Sequence, residues 1–197
     1  MSTSFPLRGL VLAGGRSSRM GRDKAALIHP DGRTLVRRTY DLLVAAGCVS
    51  VAISLRHDQE IPAGLEGLEM VRDPAGASMG PIAGIVAAMR LEPTAAWLVV
   101  ACDLPRLDGG TLVHLSASSQ AGEKFLAYRS QSDGLPEPLC ALYQPAALPL
   151  LELALAEDFR CPRKILIRHG CRLLDPVTPR ALENANTPED WDSARLP

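Results

Sequence analysis

The residues best placed to do chemistry are concentrated between Leu12 and Lys24. This stretch reads Leu-Ala-Gly-Gly-Arg-Ser-Ser-Arg-Met-Gly-Arg-Asp-Lys and directly follows the apolar run Leu7 to Leu12. A strand running into paired glycines and then Arg16, Arg19 and Lys24 offers backbone N–H groups together with cations, a combination suited to polyphosphate. Two familiar phosphate loops are excluded by spacing. A Walker A loop has four residues between its glycines followed by Lys-Ser/Thr, whereas Gly15 and Gly21 enclose five and Arg22-Asp23 follows. The dinucleotide fingerprint Gly-x-Gly-x-x-Gly fails because Gly14 and Gly15 are adjacent and position 16 is arginine. Ser17 and Ser18 lack a nucleophile-elbow setting and suit hydrogen bonding to phosphate or to the loop. The four histidines are scattered, without catalytic or zinc-binding spacing.

The elements that would position this loop follow from periodicity. Leu35, Val36, Thr39, Leu42, Leu43 and Ala46 recur at helical spacing, with Gly47 where a left-handed cap would end the helix. Val49 to Leu55 alternates as a strand and completes a β-α-β unit, and Leu68 to Arg72 is a further short strand ending at Asp73-Pro74. Gly80-Pro81 opens a helix bearing Ile82, Ile85, Val86 and Met89. Trp97 to Cys102 is a continuous apolar run, expected of a central strand buried on both faces, and it ends at Asp103-Leu104-Pro105. Alternating strands and helices predict an α/β fold, a Rossmann-like three-layer arrangement with a mostly parallel central sheet. Ligands then bind beyond the carboxyl ends of the strands, where the glycine loop, Asp73 and Asp103 all fall. An aspartate near proline is also an ordinary turn residue, a reading that weighs more for Asp73 than for Asp103.

The second half is less regular. Asp108 is placed to cap a helix through Leu112 and Leu115, and Phe125 to Arg129 and Leu139 to Tyr143 read as strands. Pro145 to Ala156 is helical, with Pro149 expected to distort its first turn or delay its start. Arg163 to His169 forms a short helix ahead of Gly170, and a strand follows at Cys171 to Leu174. Near the end, Thr187 or Asn186 would cap a helix starting at Pro188, with Glu189 and Asp190 in its first turn.

Leu-x-Gly-Gly-x-Ser-x-Arg-Met-Gly-x-Asp-Lys resembles the signature of the MobA-like nucleotidyltransferases. Glu137-Pro138-Leu139 to Tyr143 resembles the family segment that precedes a strand near the acceptor site, and Asn184-Ala185-Asn186-Thr187-Pro188-Glu189-Asp190 matches the family's closing motif. The resemblance implies a fold of the nucleotide-diphospho-sugar transferase type. It also implies transfer of GMP from GTP to molybdenum-bearing molybdopterin, with release of pyrophosphate. Arg19 and Lys24 would then hold the triphosphate, and Asp103 would hold Mg²⁺, a hard cation that takes carboxylate, phosphate and water oxygens. Leu12, Ala13, Gly14 and Gly15 would meet the nucleotide through their backbone groups, and Asp73 would accept from the donor edge of guanine. Asn184 and Asn186 would contact the acceptor. A departure from some guanylyltransferases is Ile53-Ser54 where those relatives carry an asparagine. A cytidylyltransferase, a sugar-phosphate nucleotidyltransferase and a catalytically silent nucleotide-binding module remain as alternatives; a module that only binds would not need the metal carboxylate.

Composition narrows the class further. With 197 residues, 47% hydrophobic and 22% charged, one ordinary globular domain over 1–197 is expected. A formal net charge of -1 gives no basic excess for nucleic acid, so phosphate binding must be local. Five cysteines without a Cys-x-x-Cys are expected to be reduced core residues in the cytoplasm; no apolar leader is evident and no run is long enough for a bilayer.

Overall fold

The computed structural model describes residues 5–15, 27–73, 80–185, 187, 190 and 191. Seven strands, β1 (Leu7–Leu12), β2 (Ser50–Leu55), β3 (Glu69–Arg72), β4 (Ala96–Ala101), β5 (Phe125–Arg129), β6 (Pro136–Tyr143) and β7 (Arg172–Leu174), form one sheet in the order β3-β2-β1-β4-β6-β5-β7. All neighbouring pairs are parallel except those of β6, which runs antiparallel to both β4 and β5. Among the described residues five helices cover the sheet: α1 (Leu35–Ala45), α2 (Pro81–Leu91), α3 (Gly109–Ala117), α4 (Leu148–Ala156) and α5 (Pro162–His169).

β4 shows why two faces must be covered. Its side chains alternate: Leu98 and Val100 join one core with Val36 and Leu43 of α1 and Leu112 and Leu115 of α3. Trp97 and Val99 join the other, with Ile82 and Ile85 of α2, Leu151 of α4 and Ile165 of α5. Both faces of a six-residue apolar strand are therefore withdrawn from water, the arrangement that a run without polar alternation requires.

Local signals set most boundaries. Thr34 caps α1 by accepting from Arg37 N, and Gly47 follows the helix at φ 90°. Asp108 caps α3 by accepting from Thr111 N at 2.7 Å. Ahead of Pro149, residues Pro145–Ala147 form a separate 3₁₀ turn and α4 begins at Leu148, so the proline falls in the first turn where its missing N–H costs little. Thr187 Oγ1 accepts from Asp190 N at 3.1 Å while Asp190 Oδ2 accepts from Thr187 N at 2.9 Å, a reciprocal cap that identifies Thr187 as the capping residue.

Two expectations need correction. β6 starts at Pro136 rather than Leu139, so Glu137-Pro138 lies within the strand instead of preceding it. Its prolines are tolerated because β4 pairs only from Cys140 onward and the register with β5 shifts between Ala127 and Arg129, so the ladder is interrupted there. Cysteine placement also differs. Cys48, Cys102 and Cys140 are buried, and burial pushes the Cys48 and Cys140 thiols up to about 12; Cys161 is exposed just ahead of α5, and Cys171 is half-buried. Among the described residues no helix is long and apolar enough to cross a membrane.

Candidate active site

β1 lies between β2 and β4, and the chain leaves it in opposite directions across the sheet, making the carboxyl ends of β1 and β4 the topological switch point. There Cys102 N donates to Leu12 O at 3.2 Å, joining the start of the glycine loop to the residue before Asp103. Asp73 lies at the end of β3, three strand positions from Asp103, or roughly 14 Å at ordinary strand spacing. The two carboxylates therefore flank the loop from opposite sides.

The loop is held by the turn that follows β2. Arg56 Nη1 donates to both Gly14 O and Gly15 O at 3.0 Å, and Gln59 Nε2 donates to Ala13 O at 3.1 Å. Ala13 N donates to Ser54 O at 3.0 Å. Every carbonyl from Leu12 to Gly15 thus accepts a hydrogen bond from the protein itself, and the acceptor side of the loop faces inward. Arg72 Nη1 supports this turn, donating to the carbonyls of Arg56, His57 and Gln59 at 3.0, 3.2 and 2.8 Å. At Gly14 a Cβ would lie 3.2 Å from Arg56 N, so a glycine is needed for the turn to approach; at Gly15 the same position is open.

Asp73 extends the sheet by donating its N–H to Leu55 O at 3.1 Å. Its buried Oδ1 has no hydrogen-bond partner among the described residues. Burial raises its carboxyl pKa, and the charge of Arg56 pulls it back down. A buried polar oxygen of this kind is ordinarily satisfied by a neighbouring N–H, a water or a ligand. Ile53 and Ser54 are both buried, and Ser54 lies beneath Gly84 of α2, where an added Cβ would come within 3.0 Å of Ser54 Cβ. Neither residue faces the crevice.

On the other side of Asp103 a cavity of about 610 Å³ opens, within the range that takes a small molecule. Pro105, Ser130, Ser132, Glu137, Asn184 and Asp190 contribute to its wall. Ala185 N donates to Asp103 O at 3.0 Å, which seats Asn184 beside the end of β4 although 81 positions separate the two residues. Ala185 and Trp191 pack on Leu35, so the closing segment is anchored against α1. Glu137 is positioned by Arg163 of α5, whose Nη2 lies 3.2 Å from Glu137 Oε2 while Nη1 holds Asp133 Oδ2 at 2.8 Å.

Of the residues expected from the sequence, Leu12 to Gly15, Asp73 and Asp103 lie at or just beyond the carboxyl ends of β1, β3 and β4, whereas Asn184 lines the cavity. Arg19, Lys24 and Asn186 lie outside the described residues. Arg56, Gln59, Arg72 and Ser130 were not anticipated. Arg56 follows the carboxyl end of β2 directly, so the strand-end rule that singles out Asp73 and Asp103 would have found it. No histidine lines the described cavity; His114 of α3, for example, pairs through Nδ1 with the Tyr128 hydroxyl at 2.9 Å.

Known proteins carry the same architecture. A molybdenum cofactor biosynthesis bifunctional protein from Synechocystis sp. is 39% identical over 186 residues, covering 94% of this chain and 53% of the relative, so the chain spans about half of that protein. A molybdenum cofactor guanylyltransferase from Rhizobium meliloti is 36% identical, covering 97% of this chain and 91% of the relative. The crystal structure of molybdopterin-guanine dinucleotide biosynthesis protein A from Archaeoglobus fulgidus superposes with a TM-score of 0.78 at 25% identity, covering 95% of this chain and 96% of that one. The MobA-like NTP transferase domain matches residues 9–173, from β1 to β7, and the chain belongs to that family of nucleotidyltransferases.

Proposed function

We propose that this chain is a molybdenum cofactor guanylyltransferase, transferring GMP from GTP to molybdenum-molybdopterin with release of pyrophosphate. The observation that carries the proposal is the position of Asp103. It lies two residues beyond β4, between the glycine loop, joined through its neighbour Cys102 N and Leu12 O, and the cavity, joined through its own carbonyl and Ala185 N. A nucleotide on the loop and an acceptor in the cavity would meet at this residue.

In the reaction an acceptor phosphate oxygen bonds to the α-phosphorus of GTP, the bond from that phosphorus to the bridging oxygen breaks, and the electron pair leaves with pyrophosphate. Most of the barrier reduction comes from alignment and charge neutralisation. An ionised phosphate acceptor requires no general base. Lys24 and Arg19 would bind the triphosphate, and Asp73 would receive the donor edge of guanine through its buried Oδ1, which has no partner among the described residues. The Asp103 carboxylate is a hard oxygen donor of the kind that Mg²⁺ takes, and the ion would neutralise charge on the phosphoryl oxygens. Asp73 is three strands away and would not share that ion. The cavity would hold the pterin acceptor, with Glu137, Asn184 and the sequence-near Asn186 as polar contacts. We place the protein in the cytoplasm, in keeping with its free cysteines.

The purified protein incubated with Mg²⁺, molybdenum-molybdopterin and each nucleoside triphosphate in turn tests the reading, with the product identified by mass. The expected product is the guanine dinucleotide, with kcat/KM for GTP well above that for CTP because a site built to pair with guanine leaves buried polar groups unpaired on cytosine. Equal values or a preference for CTP would overturn the guanylyl assignment.

A further inference from the structure

We infer that Arg56 and Gln59 are positioning residues for the nucleotide loop, holding three consecutive carbonyls inward so that the N–H groups of Gly14 and Gly15 are presented to the triphosphate. The inference rests on the nucleotidyltransferase reading above and adds a residue role to it. In a planar trans peptide the N–H points opposite to the C=O. Pinning Ala13 O and Gly14 O against the turn after β2 therefore turns the N–H groups of Gly14 and Gly15 away from that turn. A glycine pair has no such preference of its own, since it reaches many backbone conformations at little cost. Left unpinned, carbonyl dipoles facing a triphosphate would repel it.

The bracket is built as a unit. Gln59 is only 6% exposed and accepts from Arg56 N at 3.2 Å with its Oε1 while donating from Nε2 to the loop. Arg72 fixes the backbone of the same turn through three carbonyls, and Asp58 holds Arg56 Nε at 3.3 Å. The absence of a Cβ at Gly14 lets the Arg56 backbone come this close. Arg56 also acts electrostatically on Asp73 and so lies between two groups assigned to the nucleotide. No residue of the acceptor cavity takes part, which makes the effect separable.

The test uses the full chain with Mg²⁺, measuring GTP binding by calorimetry and KM for GTP and for molybdenum-molybdopterin separately. Arg56→Gln is expected to weaken GTP binding about tenfold or more, because two charge-assisted hydrogen bonds are lost, while the acceptor KM stays within about twofold. Arg56→Lys, which retains a cation with several donors, should recover much of the loss. Gln59→Met, close in shape, should weaken GTP binding about threefold and serves if Arg56→Gln does not fold. GTP affinity unchanged in the folded variants, or an equal rise in both KM values, would overturn the inference. A parent protein that neither binds nor turns over GTP would instead refute the proposed function.

Discussion

The glycine-loop end of the sheet and the cavity beyond Asp103, proposed above as the nucleotide and acceptor sites, are built on different principles. The loop end belongs to the parallel half of the sheet: Ala13, Arg56 and Asp73 follow β1, β2 and β3 directly, and Asp103 lies two residues beyond β4. Strand direction alone delivers them to one edge. The cavity lies over the antiparallel half and draws on the residues after β4, the turn between β5 and β6, the start of β6 and the closing segment. Nothing periodic unites those pieces; a few long-range contacts do, notably Ala185 N to Asp103 O and Arg163 to Glu137. The proposed nucleotide end thus rests on regular strand ends, and the proposed acceptor cavity on a surface assembled from several loops.

The comparison makes predictions that scale with how much of the site each residue joins. Asp103 lies between the two regions, so Asp103→Ala should lower kcat at least a hundredfold with the melting temperature little changed, as loss of charge neutralisation in the transition state requires. Turnover within about tenfold of the parent, roughly 1.4 kcal/mol of barrier, would break the idea that the two regions meet there.

Asn184 belongs to the cavity alone. Asn184→Ala should raise the KM for molybdenum-molybdopterin about tenfold and leave GTP affinity unchanged, the cost of one lost polar contact. Steady-state kinetics with each substrate varied in turn checks this, and a rise confined to GTP would merge the two regions.

Asp73 belongs to the nucleotide end alone, and its raised carboxyl pKa adds a pH signature. A carboxyl whose folded-state pKa lies above its unfolded value stabilises the fold below the ordinary carboxylate range near 3.9, and that contribution is lost as pH rises through the folded value. Asp73→Asn should therefore melt close to the parent at low pH and somewhat higher at neutral pH, while binding GTP more weakly. Thermal melts across that range combined with GTP titrations decide the point; a variant that binds GTP like the parent would return Asp73 to the role of a turn former.

Much of this protein was determined by its sequence. The parallel strands, the double-sided burial of β4, the caps at Thr34, Asp108 and Thr187 and the break at Pro149 all follow from interactions within a few residues or from hydrophobic periodicity. So did Asp73 and Asp103, because a polar residue ending an apolar strand is visible in one dimension. Only the tertiary structure decided the rest. Arg56 reaches Gly14 across 42 positions and Arg163 reaches Glu137 across 26, contacts that leave no local pattern. β6 extends through two prolines because β4 has stopped pairing and a bulge relieves the ladder, facts of the neighbouring strands rather than of Pro136 and Pro138 themselves. The seat of Asn184 beside Asp103 is likewise a property of packing, since the bond that sets it, Ala185 N to Asp103 O, joins two backbones and involves no asparagine side chain. Local chemistry wrote the elements and the strand-end carboxylates; the convergence of distant backbone and guanidinium groups made a site of them.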